Sequence, residues 1–488
     1  MPQPLAVQRV LGDRPFAEVG EPRAVAVDEN RGLIAIGGHL GSLTWVGAHT
    51  AHEGWAPHVL GIYDRPSLRC RMLLHTEWPI RSLDFHPRQP LLAIGTGGYD
   101  GGWHFYGEVL LLHLDTGELV SPLADSREVR RVRWRTWRHG RVLDLALAPP
   151  DDWEYGNDAM RIGYDAMVVR DDWLAVQDNE IADHELDGPL RDSDIVTSEQ
   201  ARAAVEALST QWSHRGPVWA VEHLHDGRIL ATMDGAGLEC WLPTGELAWS
   251  VVEESGRQLV VAADRESALV AIQTPELTID IARHSLRDGE LMDRFNPVGV
   301  VTARADGVFA LRPVAWEAQP TTVFRADGTE IGQVALGGFQ LASYSFPVRH
   351  ASALYFLREP GEVVVVGDDL AVRRLFDGAE AGPAVEVGNS LVCCCLDSTV
   401  MRRRLPDGEI VWRLEVDRRV TALEVDGSML YVALNSGALL GVNVDTGELR
   451  WRQELSVHGQ PTTGLSLASP QPGRLLIGTT DGRILDCS

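Results

Sequence analysis

Short runs of alternating apolar and polar residues recur along most of the chain. In the run Glu448 to Arg452, Leu449 and Trp451 share one face and the three charged residues share the other. Such alternation is typical of a β-strand with one buried and one solvated face. Further apolar runs, such as Val420 to Val425 and Met429 to Leu434, come before it. The pattern predicts units of about four short strands.

A five-residue unit that begins with glycine and ends with tryptophan marks these strand groups. Full copies are Gly245 to Trp249, Gly408 to Trp412 and Gly447 to Trp451, and weaker copies begin at Gly117, Gly289 and Gly328. From the glycine at 245 onward, the steps between copies are 44, 39, 80 and 39 residues. A period of roughly 40 residues is that of one propeller blade. A glycine before Glu supplies the positive φ of a tight hairpin turn, so we place the unit at the outer hairpin of a blade.

These units resemble the repeats of the quinoprotein-like family, whose PQQ-type blades carry a turn glycine and, four residues later, a tryptophan. They are also similar to the broader WD-repeat superfamily. The resemblance extends over nearly the whole chain at the level of blades, and it implies an all-β propeller built from four-stranded blades. Exported quinone-dependent enzymes of this family bind calcium and often hold two adjacent cysteines against the cofactor. This chain has adjacent cysteines but neither an export signal nor calcium ligands that we can match, so we expect no cofactor.

We expect one propeller domain over residues 1–488, with eight blades in a range of seven to ten. Residues 339–416 can be read as one elaborated blade or as two. The C-terminal stretch 475–487 holds too few strands for a blade, and we expect residues 5–10 to complete it and close the ring. First strands of blades are predicted near Ala24, Ile80, Val129, Val218, Leu259, Val298, Leu341, Ala384, Val420 and Thr462.

An excursion over residues 177–214 interrupts the repeats. It is acidic at first and then favours a helix over residues 197–208, with Ser198 as the predicted cap. Insertions in repeat folds emerge as loops on one face, which is often the binding face.

Charge, apolar runs and cysteine content limit the class of binding partner and the cellular compartment that we expect. The formal net charge is −25, which disfavours nucleic acid and anionic membranes and favours a neutral or basic protein partner. No export signal or apolar run long enough to span a membrane is recognised, so we expect a cytoplasmic protein. Three of the six cysteines, Cys393 to Cys395, lie in an apolar run that predicts a buried strand and not a disulfide or zinc site.

The chain contains no lysine, so all 44 basic residues are arginine. Reactions that need an ε-amino group, such as Schiff-base formation and phosphate binding by a P-loop lysine, are therefore excluded. Biased codon usage explains this composition, and selection against a lysine-directed modification is the alternative hypothesis.

Two segments combine aromatic rings with carboxylates and are our candidate binding residues. The glycine-rich loop over residues 95–106 would bring backbone close to a ligand, and the acidic stretch over residues 151–158 suits capture of a basic partner segment. Each is also readable as an ordinary solvated loop. The candidates are Tyr99, Asp100, Trp103, His104, Tyr106, Asp151, Asp152, Trp153 and Tyr155.

Two other patterns are weaker. The strand over residues 130–138 interleaves arginine with tryptophan, as nucleic-acid platforms do, but an exposed strand whose Arg131, Arg133 and Arg135 pair with acidic neighbours is the stronger explanation. His223 and His225 share a strand face and suit a metal, yet a third ligand is not evident.

No catalytic residue is assigned, since nucleophile motifs such as G-x-S-x-G are absent. We therefore expect a non-catalytic scaffold for protein interaction. An enzyme or small-ligand binder with a site at the central channel is the alternative. The partner's identity, the binding face and the oligomeric state stay open.

Overall fold

The computed structural model describes residues 4–41, 43, 55–137, 140–153, 155–192, 195–252, 255–262, 265–273, 279–298, 300–313, 319–337, 346–358, 361–379, 381–395 and 398–488. Antiparallel strands dominate these residues, which confirms the all-β prediction. They fall into two compact units. We call residues 1–13, 42–55 and 215–488 unit 1, and residues 14–41 and 56–214 unit 2. The single domain expected over 1–488 stays a prediction.

Unit 2 holds three described sheets, numbered here in chain order. Sheet 1 consists of Glu21–Asp28, Leu33–His39, His58–Asp64 and Cys70–Thr76. Sheet 2 consists of Ile80–Phe85, Leu91–Thr96, Phe105–His113 and Leu119–Ser126, with the short strand Gly98–Tyr99 paired to the third of these. Sheet 3 consists of Val129–Trp137, Gly140–Leu147, Ile162–Arg170 and Leu190–Asp192.

Unit 1 holds seven described sheets of three or more strands. Sheet 4 has Val218–His223, Ile229–Met233, Ala236–Trp241 and Leu247–Val252; sheet 5 has Ser255–Val261, Ser267–Gln273, Ile279–Ser285 and Leu291–Val298; sheet 6 has Val300–Ala303, Phe309–Arg312, Thr321–Phe324 and Glu330–Val334. Sheet 7 has Leu354–Arg358, Glu362–Val366 and Val372–Phe376; sheet 8 has Val348–Arg349, Ala384–Glu386, Ser390–Cys395, Thr399–Arg404 and Ile410–Glu415. Sheet 9 has Val420–Asp426, Met429–Leu434, Ala438–Asn443 and Leu449–Glu454; sheet 10 has Gly464–Gln471, Arg474–Thr479, Ile484–Cys487 and Val7–Leu11. A small hairpin joins Ser456–Val457 to Gln460–Pro461.

Most predicted first strands agree with these sheets. Val298 instead ends the last strand of sheet 5, just before sheet 6 begins, and Ala384 begins the second strand of sheet 8. The strand predicted near Leu341 lies outside the described residues. The segment that was readable as one blade or two forms sheets 7 and 8. In sheet 10 the N-terminal strand Val7–Leu11 pairs with the C-terminal strand Ile484–Cys487. The sharing of one sheet by the two ends of the chain is therefore as expected.

Neighbouring sheets share hydrophobic cores within each unit. In unit 2, one core joins sheets 1 and 2 and another joins sheets 2 and 3. In unit 1, separate cores join sheets 4 and 5, 5 and 6, 6 and 7, 7 and 8, 8 and 9, and 9 and 10. A further core includes Val218 of sheet 4 and Leu476 of sheet 10.

The glycine-to-tryptophan unit has a packing reason. In sheet 9, a Cβ on Gly447 would lie 2.8 Å from the indole of Trp412 in sheet 8, and one on Gly289 of sheet 5 would lie 2.7 Å from Trp249 of sheet 4. The turn glycine of one sheet thus lies against the tryptophan of the sheet before it. The glycine-to-tryptophan repeat therefore reflects a packing contact between neighbouring sheets as well as the geometry of the turn.

One face assignment is wrong. Trp451 is buried as expected, but Leu449 is 47% exposed and does not share its buried face. The register shifts between the partners Gly441 and Val442, so that Arg450 is an extra residue in the outer strand. Such a bulge reverses the alternation of side chains within one residue.

The excursion over residues 177–214 contains the 3₁₀ turn Asp183–Glu185, the strand Leu190–Asp192 and the α-helix Ser198–Leu208. Thr197 and not Ser198 caps the helix, because its hydroxyl accepts from Gln200 N while the Gln200 side chain accepts from Thr197 N. This reciprocal pair is a capping box. Other 3₁₀ turns are Ala17–Val19, Gly156–Met160 and Trp173–Ala175.

Candidate binding site

Two loops of unit 2, far apart in sequence, meet at one surface. The indoles of Trp103 and Trp153 stack with centroids 4.6 Å apart and planes 19° from parallel. Asp152 N donates to Trp103 O over 3.1 Å, and His104 forms an isolated β-bridge with Asp151. Trp103 and Trp153 are 51% and 73% exposed. We call residues 99–106 together with 151–153 and 155 the two-loop site.

Carboxylates hold each tryptophan through its backbone. Asp100 Oδ1 accepts from the amides of Gly102, Trp103 and His104 at 2.7, 2.8 and 3.1 Å. Asp151 Oδ1 accepts from Trp153 N at 3.1 Å. Both indoles are therefore positioned by short local turns, although the rings themselves face solvent.

A side-chain hydrogen bond also joins the two loops. The Tyr99 hydroxyl donates to Asp152 Oδ2 at 2.7 Å. This bond is the largest cause that raises the pKa of Tyr99 to about 12. The amide bonds lower the pKa of Asp100, which stays ionised. The hydroxyls of Tyr155 and Tyr164 lie 2.8 Å apart.

Arg130, which our sequence reasoning did not assign to this site, lies beneath it. Its side chain is almost fully buried, and its guanidinium donates to the carbonyls of Ala159 (2.9 Å) and Ile162 and to Glu128 Oε2 (3.0 Å). Its Cζ lies 5.2 Å from the ring centroid of Phe105. Arg130 therefore contacts both the strand that follows the first loop and the 3₁₀ turn that follows the second.

Tyr106 lies at the margin of the site. Its ring stacks on Trp78 at 5.6 Å and lies 5.9 Å from the ring of His104. Tyr99 and Tyr155 both pack against the small buried cluster that contains Phe105. All nine predicted residues thus belong to one continuous set of contacts, whereas the sequence left the two loops separate.

The arginine-rich strand of sheet 3 buries Val132 and Trp134 on one face, exposes Arg133 and Arg135 on the other, and has acidic neighbours. Arg131 Nη2 lies 3.0 Å from Asp165 Oδ1, and Arg135 pairs with Asp144. Both carboxylates belong to strands of the same sheet. This agrees with the ion-paired interpretation of the strand.

Unit 1 contains a cavity of about 830 Å³ lined by the first strands of several of its sheets. His223, His225 and His350 line it, together with arginines such as Arg349. Arg349 pairs with Glu222 at 2.7 Å and also with Glu424. Within the described ranges, no three His, Cys, Asp or Glu side chains are placed to hold a metal ion.

The adjacent cysteines do not fit a quinone cofactor. Cys393 and Cys394 are buried in the hydrophobic cores on either side of sheet 8, and neither lines the cavity. All six cysteines are among the described residues, and none is in a disulfide. The buried strand predicted for Cys393 to Cys395 is confirmed.

Residues 321–487 match the family model described as outer membrane protein assembly factor BamB, a PQQ-type repeat model. The resemblance to PQQ-type repeat β-propellers is confirmed for these residues. The matched segment covers sheets 7, 8 and 9 and parts of sheets 6 and 10. The assembly role in that description belongs to the protein it names. No curated protein matches the chain. Of the helices that the structure describes, none has the length and hydrophobicity to cross a bilayer.

Proposed function

We propose that the seven sheets of unit 1 are blades of a closed propeller ring and that the chain is a non-catalytic scaffold for protein binding. The ring is supported by the unbroken series of shared cores from sheet 4 to sheet 10. It is also supported by the core between sheets 10 and 4 and by the bond from Ser466 Oγ to Val218 O at 3.0 Å. Pairing of the two chain ends in sheet 10 would hold such a ring closed.

The observation that carries the interaction role is the stacked Trp103 and Trp153 pair. Large exposed aromatic side chains are enriched where proteins bind one another. Here they are held by hydrogen bonds before any partner arrives, which lowers the entropy lost on binding. The net charge of −25 favours a neutral or basic protein partner, and we place this role in the cytoplasm.

Affinity purification at modest salt tests the proposal. The full chain should recover a stoichiometric partner, and the double substitution Trp103→Ala and Trp153→Ala should abolish that recovery. Met167→Ala is the matched control, because Met167 is a 59% exposed apolar side chain of the same unit outside the two-loop site. A partner retained by the double variant would contradict the assignment of the surface.

A small ligand in the unit 1 cavity is the second candidate, favoured by a volume of about 830 Å³ and a lining that mixes apolar and charged side chains. Native mass spectrometry of the purified chain separates the two ideas. A bound small molecule with no protein partner would support this candidate and defeat the scaffold.

A further inference from the structure

We propose that the two-loop site recognises an arginine side chain in an extended segment of the partner. This inference rests on the proposed function and names the chemistry of the group that is bound. We place the guanidinium on the outer ring face of Trp153. This indole is 73% exposed, and its stacking contact with Trp103 uses the opposite face.

Carboxylate oxygens of the two-loop site are available to a ligand. Asp151 uses Oδ1 to accept from Trp153 N, and the described residues place no donor on its Oδ2. Asp100 likewise accepts its three amides through Oδ1, and its Oδ2 lies 3.8 Å from His104 Nδ1. Each carboxylate is fixed by one oxygen and can accept from a ligand with the other. A guanidinium offers paired N–H donors with a geometry that suits carboxylates.

The charges around the site leave an excess of carboxylate. The site carries Asp100, Asp151 and Asp152, and His104 Nδ1 lies 3.8 Å from Asp100 Oδ2. Arg161 is engaged with Asp158 at 2.6 Å. The buried Arg130 is engaged with Glu128 and two carbonyls. A cation from outside would therefore meet a net negative surface.

Arginine is favoured over lysine by the flat shape of the site. A guanidinium stacks on an indole face and still donates in its own plane, whereas an ammonium is a compact, strongly hydrated charge. The described part of unit 2 already places guanidiniums over aromatic rings, with Arg127 over Tyr164 at 5.3 Å and Arg130 over Phe105 at 5.2 Å.

Fluorine NMR of the full chain labelled with 5-fluorotryptophan tests the inference, with resonances assigned from Trp103→Phe and Trp153→Phe. The probes are capped pentapeptides Gly-Xaa-Gly-Xaa-Gly in which Xaa is arginine, lysine, citrulline or norleucine. The arginine peptide should shift the Trp153 resonance and bind about threefold more tightly than the lysine peptide and about tenfold more tightly than the citrulline peptide. Its affinity should fall as salt is raised.

Substitutions separate stacking from charge. Trp153→Ala should weaken the arginine peptide about tenfold and Asp151→Asn about threefold, while Met167→Ala should leave binding unchanged. Equal binding of the arginine and norleucine peptides, or an unmoved Trp153 resonance, would overturn the inference. So would a Trp153 shift that depends only on protein concentration, since the occupant would then be a second copy of the chain. A partner lost on Trp153→Ala but indifferent to arginine would preserve the proposed function and remove this inference alone.

Discussion

Arg130→Met should loosen the two-loop site from beneath. The substitution keeps an unbranched side chain against Phe105 but removes the donors to the carbonyls of Ala159 and Ile162 and to Glu128. Because Ala159 is fully buried, its carbonyl loses a partner that water cannot readily replace. The 3₁₀ turn Gly156–Met160 is thereby released from the sheet.

The magnitude follows from the contacts that are lost. An unsatisfied buried carbonyl costs about 1–3 kcal/mol. Removing one partner of a buried ion pair costs about 3–5 kcal/mol, but Glu128 keeps Arg81, whose Nε lies 2.8 Å from Glu128 Oε1. Because Arg81 still pairs with Glu128, we expect much of the ion-pair cost to be avoided. The free energy of unfolding should therefore fall by about 3–4 kcal/mol in total. The stability of Arg130→Lys should lie between those of the parent chain and Arg130→Met, since lysine keeps the charge but not the planar set of donors.

Hydrogen exchange measured peptide by peptide is the suitable assay, because it reports on the loops separately from global unfolding. Peptides that cover residues 156–163 and 100–106 should lose protection in Arg130→Met, and the Trp153 fluorine resonance should move or broaden. Unchanged protection in both peptides, with stability within about 1 kcal/mol of the parent chain, would refute the reasoning.

Three further predictions concern packing, thiols and pH. Gly447→Ala should cost about 2 kcal/mol more than Gly473→Ala in urea unfolding, because both have positive φ but only Gly447 faces an indole. A polar thiol reagent should react quickly with no cysteine other than Cys70 in the native chain and with all six in denaturant, since the other five are buried. Burial lowers the pKa of His39 and His58 to about 4, from 6.5; their neutral forms favour folding, so this stability is present above about pH 6.5 and lost as pH falls toward 4. His58→Gln should flatten the change in urea midpoint between about pH 7.5 and about pH 5, and an undiminished change would contradict this.

Periodicity made the strands predictable, because each sheet repeats the same alternation and the same turn chemistry. The contact of Gly447 with Trp412 explains why the repeat is visible at all: the two positions are tied to each other across neighbouring sheets. Leu449 was misassigned because a single-residue bulge is invisible to a pattern of period two. Thr197 was missed as a cap because adjacent Thr and Ser are equivalent by propensity, and only the reciprocal bond with Gln200 separates them.

The candidate residues were predictable by composition, but their meeting was not. Residues 99–106 and 151–155 are each unusual in combining aromatic rings with carboxylates, which made them visible one at a time. Nothing in their spacing indicates that Asp152 N would reach Trp103 O. Arg130 was missed for another reason. A strand rich in arginine is predicted to be exposed, and the sequence pattern does not show which single arginine is buried.

The position of the two-loop site within unit 2 is itself an argument for function. The first loop carries Gly98–Tyr99, a short strand outside the four-stranded path of sheet 2, and the second carries the turn Gly156–Met160 between strands of sheet 3. Neither element is needed to complete a blade. The turn is held by the buried Arg130, which also packs on Phe105 at the end of the first loop, and the desolvation of this arginine has to be offset by several hydrogen bonds. Two extra elements that the repeat does not require are most simply explained by the surface they present. That surface carries two exposed, nearly parallel indoles whose backbone amides are held by carboxylates.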